Sequence, residues 1–337
     1  MKIFPNKTFI IAEVGLNHMG NFKLAKKYIS EFSKTGIDAI KFQAHMADFE
    51  STNQEKFRIK FSQKYKNRYD YWKKTSFSKK QWSELYKFSK KNNLKFGVSV
   101  FCNEALKLFD NGKYVDFFKV PSGETNTYPL LKNISKLNKF TIISTGLSDW
   151  KEINSLTKIF KNKKKFFFLQ CTSKYPNKLN EVGFNVIEKI KNKYGYKCGL
   201  SDHTGNISTA LMAISKRTDI LEFHVKINEK GDYPDKSISL NLNDVKFITK
   251  TKNDFLILNT KVNKNIMFKK LLKTKKLFGK SLSLKENLKK NQKIKESNII
   301  LKKPGTGIQY KYLKKILNKK AKKDLSKFNI LNYGDFY

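Results

Sequence analysis

Short apolar runs alternate with longer amphipathic stretches from residue 9 to about residue 258. The runs Phe9–Val14, Ala39–Phe42, Phe96–Ser99, Phe117–Val120, Thr141–Ser144, Phe166–Gln170, Cys198–Leu200 and Ile220–His224 have the length and composition of buried strands. Between them lie Phe22–Thr35, Lys79–Asn92, Thr127–Leu137, Asp149–Phe160, Asn180–Lys193, Asn206–Ser215 and Asn243–Leu256. These carry apolar residues at helical spacing, with Lys on the other faces. Eight strand-and-helix units in about 250 residues predict a closed (β/α)8 TIM barrel, an α/β fold. An open doubly wound sheet competes, but it does not need eight units, and no G-x-G-x-x-G follows the first strand.

Two segments depart from the rhythm. Residues 44–77, with Tyr65, Arg68, Tyr69, Tyr71 and Trp72, form a long insertion after the second strand, suited to a lid, to substrate contact or to packing over the barrel mouth. Beyond residue 260 the pattern breaks into a Lys-rich linker, 261–280, and short strand-like pieces with turn residues over 281–337. The expected division is therefore a catalytic barrel over 1–260, that linker, and a small C-terminal domain. Its own core is thin, which favours docking on the barrel or on a partner subunit.

The formal charge of +42 changes the picture less than its size suggests. Lysines are spread over every predicted helix and Arg is scarce, whereas nucleic-acid grooves favour Arg forks and aromatic stacking platforms. Residues 261–337 hold 23 Lys against 4 Asp plus Glu, so a polyanion-binding surface on the tail stays open; nucleic acid itself is not the expected partner. No run of about 18 uncharged apolar residues is present, so no membrane span is expected. The start at Met1–Pro5 reads as no signal segment, and Cys102, Cys171 and Cys198 are too scattered for a disulfide framework or a thiolate zinc site. The cytoplasm is the expected compartment.

Candidate chemistry collects where the strands end, which in a barrel is one mouth. The first strand leads into Glu13 to Gly20, the second gives Lys41-Phe42-Gln43, and the fourth gives Lys119-Val120-Pro121-Ser122-Gly123-Glu124. Ser144-Thr145-Gly146 follows the fifth, Cys171-Thr172-Ser173-Lys174-Tyr175-Pro176 the sixth, Ser201-Asp202-His203-Thr204 the seventh, and Glu222-Phe223-His224 closes the eighth. All four histidines, His18, His45, His203 and His224, fall at or near strand ends. His203 and His224 follow neighbouring strands, so their imidazoles can converge. With a carboxylate such as Glu13, Asp202 or Asp235 they suit a divalent transition metal, Mn2+ or another, that polarises an aldehyde oxygen. Lys41 and Lys119, with Ser144, Ser173 and Ser201, suit a small phosphorylated anion. The same lysines could pair structurally with Glu13 or Glu124, or serve as the amine of a pyruvate aldolase.

These motifs, in this order, resemble the sialic acid synthase family, which includes N-acetylneuraminate, legionaminate and pseudaminate synthases. The resemblance covers nearly the whole chain, with 281–337 similar to an antifreeze-like (SAF) domain. It implies condensation of phosphoenolpyruvate with an N-acylated hexosamine such as N-acetylmannosamine. It also implies a domain-swapped homodimer in which one subunit's small domain closes over the other's barrel. His203 and His224 would hold the metal. Lys41, Lys119, Ser144, Ser173 and Ser201 would hold phosphoenolpyruvate, and Gln43 and Ser122 would bind substrate. Glu13, Glu124, Tyr175 and Asp235 would face the sugar or the reacting centre, with Glu13, Glu124 and Asp235 catalytic, and Lys303 would reach the partner's sugar site. Four positions depart from the family pattern. Val100 stands where a threonine hydroxyl is expected near the phosphate, and Phe223 interrupts a glutamate-lysine-histidine motif. Lys236 replaces a histidine, and Lys303 replaces an arginine in the tail. A non-standard acceptor sugar is the expected consequence. The other readings are a phosphoenolpyruvate-dependent synthase for another aldehyde and a non-catalytic polyanion binder.

Overall fold

The computed structural model describes residues 7–57, 64–227, 231 and 233–337. It divides into two compact units, Met1–Asn259 and Thr260–Tyr337. In the first, eight parallel strands close into a barrel in sequence order: β1 (Phe9–Gly15), β2 (Ala39–Ala44), β3 (Lys95–Val100), β4 (Phe117–Val120), β5 (Phe140–Ser144), β6 (Phe166–Cys171), β7 (Cys198–Asp202) and β8 (Ile220–His224). The (β/α)8 expectation is borne out. Helices α1 (Phe22–Ser33), α2 (Ala47–Glu50), α3 (Arg68–Thr75), α4 (Lys79–Lys91), α5 (Asn103–Lys107), α6 (Tyr128–Lys136), α7 (Trp150–Ile159), α8 (Phe184–Tyr194), α9 (Ile207–Ser215) and α10 (Leu242–Leu258) connect and follow the strands.

Local sequence explains where the outer helices begin. Ser78 with Gln81, Asp149 with Glu152 and Asn241 with Asp244 form reciprocal capping boxes at α4, α7 and α10. Their apolar stripes pack on the outward residues of the strands, including Val98, Val100, Phe118 and Phe223.

The strands' period of two builds the interior. Inward residues near the strand starts, Ile11, Ala39, Phe117, Ile142, Leu169 and Ile220, form an apolar plug. Gly97 belongs to this layer, because a Cβ there would stand 2.1 Å from the Phe117 ring. Two residues further along, the same faces carry Glu13, Lys41, Ser99, Lys119, Ser144, Cys171 and Glu222. The strand register sets Glu13 beside both Lys41 and His224, Ser99 beside Lys119, and Ser201 beside Glu222. The alternation that fills the barrel with hydrocarbon thus delivers a polar layer to its C-terminal mouth.

The insertion after β2 carries α2 and α3 and has its own small cluster of Leu16, Ala47, Tyr65, Tyr71 and Trp72. Its residues 58–63 lie outside the described set. In the second unit, β9 (Ser281–Leu284) and β10 (Ile299–Lys302) pair antiparallel over a core that includes Leu282, Leu284, Ile294, Ile316, Leu331 and Phe336. The stretch expected as a linker, 261–280, holds two short helices, α11 (Lys264–Lys270) and α12 (Leu272–Phe278), with exposed side chains. Among the described residues no helix is long and apolar enough to cross a membrane.

Candidate active site

A cleft of about 710 Å³ opens at the barrel mouth. Its wall brings together Glu13, Lys41, Gln43, Lys119, Ser122, Glu124, Ser144, Ser173, Tyr175, Ser201, His203, His224 and Asp235. Lys303, expected at the sugar, belongs to the second unit, where its ammonium lies 5.3 Å from the Phe278 ring centroid.

The floor is a buried network of two lysines and two glutamates. Lys41 Nζ lies 2.6 Å from Glu13 Oε2 and donates to Ser99 Oγ at 2.8 Å. Lys119 Nζ donates to Glu222 Oε1 at 2.9 Å, and Ser201 Oγ donates to the same oxygen at 3.0 Å. Burial alone would raise the Glu222 carboxyl, but the Lys119 and Lys41 charges outweigh it and hold the group below its usual range. Pairing of this kind is what permits four charges to sit out of water. Lys41 takes the Glu13 partner left open by the sequence; Lys119 pairs with Glu222, not Glu124. Glu222 and Ser99 were missed as site residues. The signal for Glu222 was its i, i+2 relation to His224, which places both on one face of β8.

Beside the floor, Ser144 Oγ is buried with no hydrogen-bond partner among the described residues. Ser122 Oγ accepts from the Gly146 amide at 3.1 Å and lies 3.0 Å from Cys171 Sγ. Gly146 is tightly enclosed, since a Cβ there would come within 2.5 Å of Cys171 Sγ and 2.6 Å of Ser173 Oγ.

The imidazoles of His203 and His224 converge, with ring centroids 5.5 Å apart, and Tyr175 packs on His203 at 4.2 Å. His203 Nδ1 lies 3.0 Å from the Thr172 carbonyl, which can only accept. The proton is therefore on Nδ1, and Nε2 carries a lone pair. Burial, and then the neighbouring His224, push the His203 pKa down to about 3, so the ring is neutral. His224 Nδ1 lies 3.4 Å from Asp235 Oδ2. Gly15, at φ +57, allows this approach of Asp235, because a Cβ there would stand 3.1 Å from Asp235 Oδ2. Two convergent imidazoles and an adjacent carboxylate are a donor set that fits a divalent ion. Among the described residues no three His, Cys, Asp or Glu side chains already surround one point.

Further out, Thr127 donates to Glu124 Oε2 at 2.7 Å, and burial raises the Glu124 carboxyl above its usual range. Several expectations need correction. Asp202 accepts from the Thr204 amide and hydroxyl and stays off the cleft wall, so it braces the β7 turn and does not face an ion. His18 is buried against Phe77, at 4.5 Å between centroids, and is also outside the cleft. Val100 and Phe223 point into the helix-facing core, so neither changes the cleft wall directly. Lys236 donates to the Gly231 carbonyl at 3.0 Å, away from that wall.

Comparison with known proteins agrees with this geometry: residues 28–262 match the model of the NeuB family. The chain belongs to the NeuB family. It is 32% identical to the N,N'-diacetyllegionaminic acid synthase of Campylobacter jejuni over 94% of this chain and 98% of that one. It is 30% identical to that organism's pseudaminic acid synthase over 98% of this chain and 97% of the relative. The crystal structure of the N-acetylneuraminic acid synthetase of Leptospira borgpetersenii, in complex with citrate, superposes with a TM-score of 0.67 at 28% identity. That match covers 79% of this chain and 93% of the other. The family resemblance read from the motifs is borne out, and this NeuB family chain brings motif residues from seven strand ends, Glu13, Lys41, Lys119, Ser144, Ser173, His203 and His224 among them, to one cleft.

Proposed function

We propose that the chain condenses phosphoenolpyruvate with an N-acylated hexosamine, N-acetylmannosamine or a modified relative, releasing phosphate and forming a sialic-acid-like nonulosonate. The observation that carries the reading is one cleft in which Lys41, Lys119 and Ser144 adjoin two convergent imidazoles. Relatives across the full length of the chain are synthases of such sugars by name.

Lys119, Lys41, Ser144, Ser173, Ser122 and Ser201 bind the phosphate and carboxylate of phosphoenolpyruvate. Gln43, Tyr175 and Asp235 orient the open-chain sugar so that the enol C3 faces its aldehyde carbon. The C3–C1 bond forms, water adds at C2, and the bond from C2 to the phosphate oxygen then breaks. Glu124, whose carboxyl burial raises above its usual range, would carry protons between the water and the new alkoxide. Glu13, clamped by Lys41 and Gln43, fixes charge at the floor. His203 and His224 would hold the divalent ion, Mn2+ by expectation, which when bound supplies polarisation of the aldehyde oxygen. Each lysine is committed to an ion pair, whereas a Schiff-base aldolase needs an uncharged amine.

The second unit enters through a homodimer, with the small unit of one copy carrying Lys303 to the other copy's sugar. Exposed Phe268 on α11, Leu271 between the helices, and Leu272, Leu277 and Phe278 on α12 are apolar surface that a second copy would cover. The test is a panel of acylated hexosamines with phosphoenolpyruvate and Mn2+, reading phosphate release and product mass together. Release without a matching condensation product from any acceptor overturns the reading. His203→Ala with bound metal and rate both unchanged overturns the metal assignment.

A further inference from the structure

His45 and Glu50 sit on the cleft wall and have no part in the chemistry above. Both side chains are 4% exposed. The His45 ring is sandwiched between Trp72, 4.4 Å away, and Phe101, 3.9 Å away, both nearly parallel to it. Its Nδ1 lies 2.6 Å from Glu50 Oε1, and its Nε2 lies 3.2 Å from Gln43 Oε1.

The hydrogens in this cluster follow from its neighbours. The Lys41 ammonium makes Glu13 an acceptor, so Gln43 must turn its amide nitrogen to Glu13 Oε1, at 3.1 Å. Gln43 Oε1 then faces His45 and can only accept, which puts a proton on His45 Nε2. A contact of 2.6 Å between His45 Nδ1 and Glu50 Oε1 cannot be two lone pairs facing each other, so one more proton lies between them. Whether that proton sits on nitrogen or on Oε1, the other carboxyl oxygen, Glu50 Oε2, has none. It can only accept. Oε2 is buried with no hydrogen-bond partner among the described residues, a costly arrangement unless a donor arrives. Trp72 and Phe101, which flank His45, and Phe57 and Tyr71 on the same wall offer apolar surface.

We propose that Glu50, held by His45, recognises an acylamino substituent of the acceptor sugar. Its Oε2 accepts the amide N–H while the acyl carbons pack on the neighbouring rings. A hydroxyl in place of the acylamino group could donate but would leave the apolar surface uncovered. The inference rests on the condensation proposed above and assigns its acceptor selectivity to the insertion after β2.

The experiment compares acceptors in pairs that differ by acylamino against hydroxyl at one carbon, in the full-length chain with phosphoenolpyruvate and Mn2+. Glu50→Met removes the acceptor oxygen at similar volume. It is expected to lower kcat/KM about 10- to 150-fold for acylamino acceptors, the scale of a lost hydrogen bond to a charged group. The change should appear in the acceptor KM, leave the phosphoenolpyruvate KM within about twofold, and collapse the preference within one pair. Glu50→Gln, which restores an oxygen, should recover part of the loss. His45→Phe keeps the ring stack and should shift the acceptor KM in the same direction. Equal slowing of both members of every pair, or a rise in the phosphoenolpyruvate KM alone, overturns the assignment while the condensation stands. A wild-type chain that condenses no acceptor overturns both.

Discussion

Replacing Glu222 by Gln removes one charge from the barrel floor and keeps the side chain's shape. Lys119 Nζ lies 2.9 Å from Glu222 Oε1, and Lys41 Nζ lies 3.9 Å from Oε2. At an effective dielectric constant of about 20 these attractions come to about 6 and about 4 kcal/mol. Much of that offsets the desolvation of the ions, which is several kcal/mol apiece, so the net loss on removing one partner of a buried pair is about 3–5 kcal/mol. For a unit of this size each kcal/mol shifts Tm by about 2–4 °C, and the variant should melt about 6–20 °C lower. The floor also changes from two ammoniums facing two carboxylates to an excess of one positive charge. Inorganic phosphate or phosphoenolpyruvate should therefore raise the Tm of Glu222→Gln by more than it raises the wild type. Thermal melts with and without anion read both effects. A variant that melts with the wild type and gains no more from phosphate would show that the Lys119 pair is not what keeps the floor together.

Two other substitutions separate the cleft from the core behind it. Gly146→Ala must push aside Cys171 Sγ and Ser173 Oγ, at 2.5 and 2.6 Å from the new carbon, and should lose about 1–3 kcal/mol of stability. Initial-rate assays should show a raised KM for phosphoenolpyruvate with the acceptor KM nearly unchanged; an unchanged phosphoenolpyruvate KM would move the anion away from Ser173. Val100→Thr restores the family's hydroxyl but buries it in the helix-facing core, where an unpaired hydroxyl costs about 1–3 kcal/mol. A lower Tm with no gain in phosphoenolpyruvate affinity is expected, and tighter binding would mean that β3 presents the opposite face.

The barrel was legible because each strand is a short apolar run with a helical stretch behind it, and polar residues recur at the same end of every run. Much of the site was legible for the same reason: a strand's end is a position in space as well as in sequence. What escaped was the pairing across the barrel. Lys119 and Glu222 are 103 residues apart, and nothing local to β4 or β8 says which inward side chains will touch. Val100 and Phe223 were misplaced by reading a motif as a string. On a strand, adjacent letters face opposite sides, so Ser99 and Glu222 enter the cleft while their neighbours enter the core. His45 was visible only as a histidine near a strand end, because two of its partners, Glu50 and Trp72, come from the insertion and a third, Phe101, from beyond β3.

The chain's formal charge of +42 and the charge of its cleft have different consequences. Among the described residues the wall carries six carboxylates, Glu13, Glu50, Glu55, Glu124, Glu222 and Asp235, against four cations, Lys41, Arg68, Lys119 and Lys174. A basic exterior steers anions toward the molecule, but that long-range field is screened over about 10 Å at 0.1 M salt. Within the cleft an incoming phosphate meets no excess of positive charge. It must instead draw Lys41 and Lys119 away from carboxylates that already satisfy them. With His45 and Glu50 sharing one extra proton, that pair is neutral and the rest of the wall carries one surplus negative charge. A divalent ion at His203 and His224 would offset it and make that exchange easier. On the proposed reading, metal and phosphoenolpyruvate would be electrostatically coupled through the same floor, and by reciprocity each should bind more tightly when the other is present.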